Sequence, residues 1–196
     1  DFVTPTETIA DIELGVPVLV NVENSVAAMA IAWLNGVTAD ELRQAMASFA
    51  GIRRRFETWL KTDCLTIIDD YAHHPAELEA SIKSVKALYA DRKVLGVFQP
   101  HLYSRTKDFA DEFAKALEEL DDIILLPIYP AREEPIPGIT SKTILHKINK
   151  MDKYHVTKEQ LLPLLSALQP QLLVTLGAGD IDQLVEPIIQ SLKEDE

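Results

Sequence analysis

Leu65-Thr-Ile-Ile-Asp-Asp-Tyr-Ala-His-His-Pro75 decides the fold. Its first four residues form a short apolar run rich in β-branched side chains, the composition of a strand buried on both faces. Of the seven that follow, five are polar. Pro75 then suits the first position of a helix, where its missing N–H leaves nothing unsatisfied. Beyond it, Leu78, Ile82, Val85 and Tyr89 fall on one stripe of a helix over residues 76–90. The stretch therefore reads as strand, polar turn and helix, with the turn at the strand's carboxyl end.

The same unit recurs downstream. Val94–Phe98 is a second buried strand, and Phe109, Phe113, Ala116, Leu117 and Leu120 make the next helical stripe. Ile123–Ile128 is a third strand, followed by a Pro-rich loop over 129–139 and a helix over 142–149. A short strand at 154–157, a helix over 159–168, a strand at Leu172–Leu176 and a last helix from about Asp180 complete the alternation. Strands regularly separated by helices predict an α/β fold, a mostly parallel sheet with helices on both faces. Ligands of such sheets collect at the strands' carboxyl ends. Three loops therefore hold the candidate chemistry: 69–75, 99–106 and 177–180.

Upstream the rhythm is helical. Asn24–Leu34 is apolar all round, which predicts a buried helix capped by Asn24. Thr38-Ala-Asp-Glu41 is a capping-box pattern opening a second helix with Leu42, Met46 and Phe49 on one face. The basic segment Gly51–Phe56 reads as a hinge between modules.

Composition limits the function. At 196 residues the chain suits one domain, or one domain and a piece of another; it begins with Asp1, as a processed or excised chain would. A net charge of −12, from 19 Lys and Arg against 31 Asp and Glu, argues against a nucleic-acid surface and keeps the protein soluble. An anionic ligand must then be held by a few placed cations. Cys64 is the only cysteine, which rules out an internal disulfide and a Cys-rich zinc site; beside an apolar run it reads as a buried, inert thiol. No apolar stretch approaches the ~20 residues that cross a bilayer, and no signal-peptide pattern is present, so the chain reads as cytoplasmic without membrane insertion. Nothing in the pattern specifies an oligomeric state.

Within the three loops, residues 69–75 offer two carboxylates, a phenol and two imidazoles, able to bind a ribose diol, a metal or a polar substrate, or simply to satisfy the turn. In Gln99-Pro-His-Leu-Tyr-Ser-Arg-Thr106, Arg105 either forks onto a carboxylate or phosphate with His101 beside it, or pairs with Asp108 or Asp111. Gly177-Ala-Gly-Asp180 lets backbone approach a ligand, or uses Asp180 as an N-cap. Arg53–Arg55 either reach phosphates or form a solvated patch. There is no G-x-S-x-G elbow for a serine hydrolase. Adjacent His73 and His74 point apart at a helix start and make a poor metal pair, so no metal ligands and no nucleophile are assigned.

Taken in order, these segments resemble the Mur ligases. The likeness rests on Asp70-Tyr-Ala-His-His-Pro75, Phe98-Gln-Pro-His-Leu-Tyr-Ser-Arg-Thr106, Tyr129-Pro-Ala-Arg-Glu133, Pro135-Ile-Pro-Gly138 and Gly177-Ala-Gly-Asp180. Asn21-Val-Glu-Asn24 and Gly51-Ile-Arg-Arg-Arg-Phe-Glu57 extend it over nearly the whole chain. The resemblance implies a Rossmann-like C-terminal domain over 54–196, preceded by a helical remnant of the ATP-binding central domain over 1–53. It implies an ATP- and Mg2+-dependent amide ligase of peptidoglycan precursor synthesis that activates a carboxyl as an acyl phosphate. UDP-N-acetylmuramate and L-alanine are the implied substrates. A recycled tripeptide in place of alanine, or a non-catalytic nucleotide- or partner-binding module, are the alternatives. Asn21 would lie near the adenine, Arg55 at the phosphates and Asp70 at the ribose, with Asn24 also binding the nucleotide. Tyr71, His73, His101 and Arg105 would face the amino acid and the muramyl carboxylate. Leu102 departs from the family, which commonly has Arg there, and Val18-Leu-Val stands where Gly and His often precede the asparagine. No G-x-x-x-x-G-K-S/T phosphate loop occurs, and no uridine-binding domain matches, so the resemblance implies that this stretch alone does not turn over substrate.

Overall fold

The structure, a computed structural model, describes residues 1–194 and divides into two compact units, Asp1–Ile52 and Arg53–Glu196.

In the first unit, β1 (Phe2–Val3) and β2 (Thr8–Ile9) form a short antiparallel ribbon beside the helices α1 (Leu19–Leu34) and α2 (Ala39–Ser48). Phe2, Ile9, Met29 and Leu42 make its small core. α2 begins as its sequence predicts: the Thr38 hydroxyl accepts from the Glu41 N–H while the Glu41 carboxylate accepts from the Thr38 N–H. Two expectations for α1 fail. The helix starts five residues before Asn24, on Val18 in extended conformation with no side-chain cap, so Asn24 lies inside it and caps nothing. Nor is it buried all round: Leu19, Val22, Val26, Ile31 and Leu34 are exposed, and Met29 is buried. A unit of this size, with one other helix to pack against, covers a single face.

The second unit carries a six-stranded sheet. Along the chain come β3 (Glu57–Lys61), β4 (Thr66–Asp70), α3 (Pro75–Leu88), β5 (Val94–Phe98), α4 (Tyr103–Asp108), α5 (Ala110–Leu117) and β6 (Asp122–Leu125). Then follow α6 (Lys142–Leu145), β7 (Lys153–His155), α7 (Lys158–Leu168), β8 (Leu172–Leu176), a 3-10 turn (Asp180–Leu184) and α8 (Val185–Glu194). The strand order is β3-β4-β8-β5-β6-β7, with β3 antiparallel and every other pairing parallel. The mostly parallel sheet is as predicted, and Pro75 does open its helix. β3 was not foreseen, and the helix expected over 142–149 is a single turn.

Alternation along the strands sends side chains to two layers. Leu65, Ile67, Leu95, Val97, Ile124 and Leu173 pack with Leu161 and Leu165 of α7 and Val185, Ile188 and Leu192 of α8. On the opposite face Phe98 meets Phe113 of α5, ring centroids 5.4 Å apart. Helices thus cover both faces. Cys64, just before β4, is exposed, correcting its reading as a buried thiol: the apolar run that shields its neighbours begins one residue later.

Candidate functional site

The register fixes where the loops begin. Asp70 pairs with Leu176, and Leu176 with Phe98, so the loops after β4, β8 and β5 leave the sheet at one level. That edge gathers the residues singled out in the sequence.

Asp70 closes β4. One carboxylate oxygen accepts from the Ala72 N–H at 3.0 Å and the other from the Ser81 hydroxyl at 2.8 Å, which fixes the turn into α3. Burial pushes its acid up, against the pull of these two hydrogen bonds. Glu77, one turn into α3, accepts from the N–H groups of His73 and His74 at 3.0 and 3.1 Å, so both backbone donors ahead of the helix are satisfied. The His73 ring then lies 3.0 Å from the Tyr71 carbonyl through Nδ1 and edge-on to the Tyr71 ring. The His74 ring turns away, onto Phe109 at 5.0 Å. The two adjacent histidines separate as expected.

His101 faces His73 across the gap between loops, with ring centroids 6.1 Å apart. It stacks on Tyr129, rings 18° from parallel, and its Nδ1 lies 3.3 Å from Nη1 of Arg105. Burial, reinforced by the Arg105 and His73 charges, holds His101 below its ordinary value of 6.5, so at neutral pH the imidazole is uncharged and Nδ1 is free to accept from the guanidinium. Arg105 does not take the alternative reading. It pairs with neither Asp108 nor Asp111, and Asp111 binds Lys147 at 2.7 Å. The loop is further pinned by Glu133, which accepts from the Ser104 N–H and hydroxyl, and by the Leu102 N–H, which donates to the Tyr129 carbonyl. Leu102 itself has φ of +74°, an uncommon backbone state for a leucine.

The glycine turn serves packing. A Cβ on Gly179 would lie 2.3 Å from Gln99 Oε1, and one on Gly177 would lie 2.6 Å from the Gln99 carbonyl oxygen. The buried Gln99 side chain donates to Asp180 at 2.9 Å, and Lys158 binds the other Asp180 oxygen at 2.5 Å. Burial raises the Asp180 acid, but the bonds from Lys158 and Gln99 outweigh it and the net shift is downward. Asp180 thus joins β5 to α7; the residue at the N-cap is Gly179.

Of the three consecutive arginines, the structure separates Arg54 from Arg55. Arg55 is exposed near Asp70, whose acid its charge lowers slightly. Arg54 turns inward, on a left-handed backbone with φ of +59°, and its side chain is 18% exposed. Within the triplet it was read as reaching phosphates or lying in a solvated patch, and its inward course fits no solvated patch.

Asn21 and Asn24 lie in the first unit. They line a largely apolar cavity of about 270 Å³ with Val16, Ser25, Ala28, Met46 and Phe49, two amides and a hydroxyl in an otherwise apolar wall. Among the described residues no three His, Cys, Asp or Glu side chains converge as a metal cage, and no helix is long and apolar enough to cross a membrane.

An α/β sheet with its polar residues gathered at the carboxyl edge of β4, β8 and β5 is the architecture of a ligand-binding domain. The family description "Mur ligase, glutamate ligase domain" matches residues 54–179, most of the second unit. A UDP-N-acetylmuramate–L-alanine ligase of Parabacteroides distasonis is 59% identical over 98% of this chain, which covers 42% of that protein. The crystal structure of a UDP-N-acetylmuramate–alanine ligase from Thermotoga maritima superimposes with a TM-score of 0.77 at 25% identity, over 94% of this chain and 40% of that one. A murein peptide ligase from Psychrobacter arcticus shares the fold, with a TM-score of 0.63 at 20% identity, over 92% of this chain and 38% of that one. The chain belongs to the Mur ligase family. It spans about 42% of the length of the curated relatives it matches.

Proposed function

We propose that this chain is the amino-acid-presenting part of an ATP-dependent ligase that joins L-alanine to UDP-N-acetylmuramate in the cytoplasm. The observation that carries the reading is Arg105, a guanidinium held beside an uncharged His101 at the carboxyl edge of the sheet and paired with no carboxylate among the described residues. A fork of donors so placed suits an incoming carboxylate. Tyr71 and His73, on the facing loop, complete the wall toward the amino acid and the muramyl carboxylate.

In that reaction the γ-phosphoryl of ATP passes to the muramyl carboxylate, giving an acyl phosphate and ADP. The alanine amine attacks the acyl carbon, phosphate leaves, and the amine loses a proton. Nothing in it needs a nucleophile from the protein; it needs two substrates held in line and their charges offset. The apolar cavity beside Asn21 and Asn24 fits a purine ring, with amides to read its edge. Arg55 is assigned to the phosphates and Asp70 to the ribose, where its bound oxygens still have lone pairs for a hydroxyl. Mg2+ binds few carboxylates and many phosphate oxygens. These residues offer it no cage of their own, so the ion is placed with the nucleotide and no step is assigned through it.

The test is ADP release by the full-length protein with ATP and UDP-N-acetylmuramate, comparing no amino acid, L-alanine and the tripeptide. Release that needs L-alanine supports the reading, and in that assay Arg105→Ala raises the alanine requirement steeply. Release that needs the tripeptide reassigns the protein to the recycling reaction. No release with either leaves a binding module. The 196-residue chain alone, without a phosphate loop, is expected to release no ADP.

A further inference from the structure

Arg54 reaches main-chain carbonyls, carboxylates and an aromatic ring at the sheet's carboxyl edge. Its Nη2 donates to the carbonyl oxygens of Gly177 at 2.8 Å and Gly179 at 3.1 Å. Nε stands 3.5 Å from the fully buried Asp69, and Nη1 3.5 Å from Asp182. The guanidinium carbon lies 5.0 Å above the ring of Tyr71. The backbone joins in: the Arg54 carbonyl accepts from the Tyr71 N–H at 2.7 Å, and the Arg54 N–H donates to Glu57 at 2.8 Å.

These contacts fall on two of the three loops directly and on the third through one intermediary. Tyr71 belongs to the loop after β4. Gly177 and Gly179 form the turn after β8, and both glycines abut Gln99, the first residue of the loop that carries His101 and Arg105. One guanidinium therefore sets the spacing between the loops. Its own acidic partner is locked as well, since the Thr175 hydroxyl donates to the other oxygen of Asp69 at 2.6 Å.

We infer that Arg54 is a positioning residue for the amino-acid side of the site, holding Tyr71 and the Gly177–Gly179 turn at a fixed distance from His101 and Arg105. It divides the arginine triplet by task. Arg55 is exposed and available to a nucleotide, whereas Arg54 is spent on main-chain carbonyls and an aromatic face. The work depends on the shape of the group as much as on its charge. A lysine at 54 can still neutralise Asp69, but a point ammonium cannot fork across two carbonyls while lying flat on a ring.

For its kinetic arm this inference rests on the ligase reading; its structural arm does not. In the full-length enzyme Arg54→Lys is expected to raise KM for L-alanine about 10-fold or more while KM for ATP stays within about twofold, the signature of a misplaced wall near one substrate. Arg55→Lys should do the reverse. The thermal midpoint of Arg54→Lys should stay near that of the parent, because the buried charge is kept, whereas Arg54→Ala should lower it. An unchanged alanine KM, or an ATP KM rising in step, overturns the assignment. Hydrogen exchange on the same variant supplies the arm independent of activity: amides of 177–184 should exchange faster while those of 94–98 do not. If the parent enzyme shows no alanine-dependent ADP release, the ligase reading fails and exchange alone decides. Unchanged exchange at 177–184 then refutes the positioning role of Arg54.

Discussion

Gly177→Ala isolates the contact that holds the glycine turn against β5. Gly177 has φ of +138°, a region open almost only to glycine, and a side chain forced there costs about 1–3 kcal/mol. The added Cβ would also stand 2.6 Å from the Gln99 carbonyl oxygen. That atom is backbone, inside a paired strand end, and cannot swing aside as a side chain would. Overpacking of this kind costs about 1–3 kcal/mol more. The sum is centred near ~4 kcal/mol. Gly138 is the control in the same unit: its φ is +81°, yet nothing lies within 4 Å of its would-be Cβ. Gly138→Ala should therefore cost the conformational part alone, about 1–2 kcal/mol. Urea unfolding followed by circular dichroism, with m-values compared, gives both numbers from one transition. Equal destabilisation by the two substitutions, or a loss below about 1.5 kcal/mol for Gly177→Ala, would refute the claim that close approach to Gln99 is why position 177 is glycine.

Asp70→Asn should leave stability at neutral pH unchanged or higher and flatten its pH dependence. The folded acid lies above its ordinary 3.8, so the native state holds the proton more tightly and Asp70's contribution is lost as pH climbs from there through the raised value; an unaltered slope in denaturation midpoints from pH 3.5 to 7 contradicts this. Thr38→Ala removes one half of the capping box and should cost about 1 kcal/mol, read from the first unit's unfolding. Cys64, being exposed, should react fully with a thiol reagent in the native protein, and reaction only after denaturation would mean the site is covered.

The parallel core was legible because Leu65–Ile68, Val94–Phe98 and Leu172–Leu176 are buried on both faces and so read as unbroken apolar runs. β3 was not, since Glu57-Thr-Trp-Leu-Lys61 is an edge strand with a register shift between Thr58 and Leu60, and its half-buried pattern matches no simple period. The start of α1 was misplaced because Asn24 is a good cap residue, whereas the true N-cap, Val18, has no side chain able to cap and so leaves no signal. In the candidate site the motif residues of two loops do meet, as His73 and His101 show. Arg54 stayed hidden for a geometric reason: its partners are main-chain carbonyls 123 and 125 residues away, and a carbonyl leaves no trace in a residue pattern.

The position of β8 has a consequence for how the protein is made. Of the six strands, the latest in chain order lies in the middle of the sheet, between β4 and β5, and no earlier strand joins those two. Until residues 172–176 emerge, the nascent chain holds β3 and β4 on one side and β5, β6 and β7 on the other, each presenting an unpaired inner edge. Such edges invite pairing with other chains, so the interval before β8 docks is when a holding chaperone has most to protect. The insertion that closes the sheet also delivers Gly177 and Gly179 to Arg54, so this rim cannot close before β8 is in place.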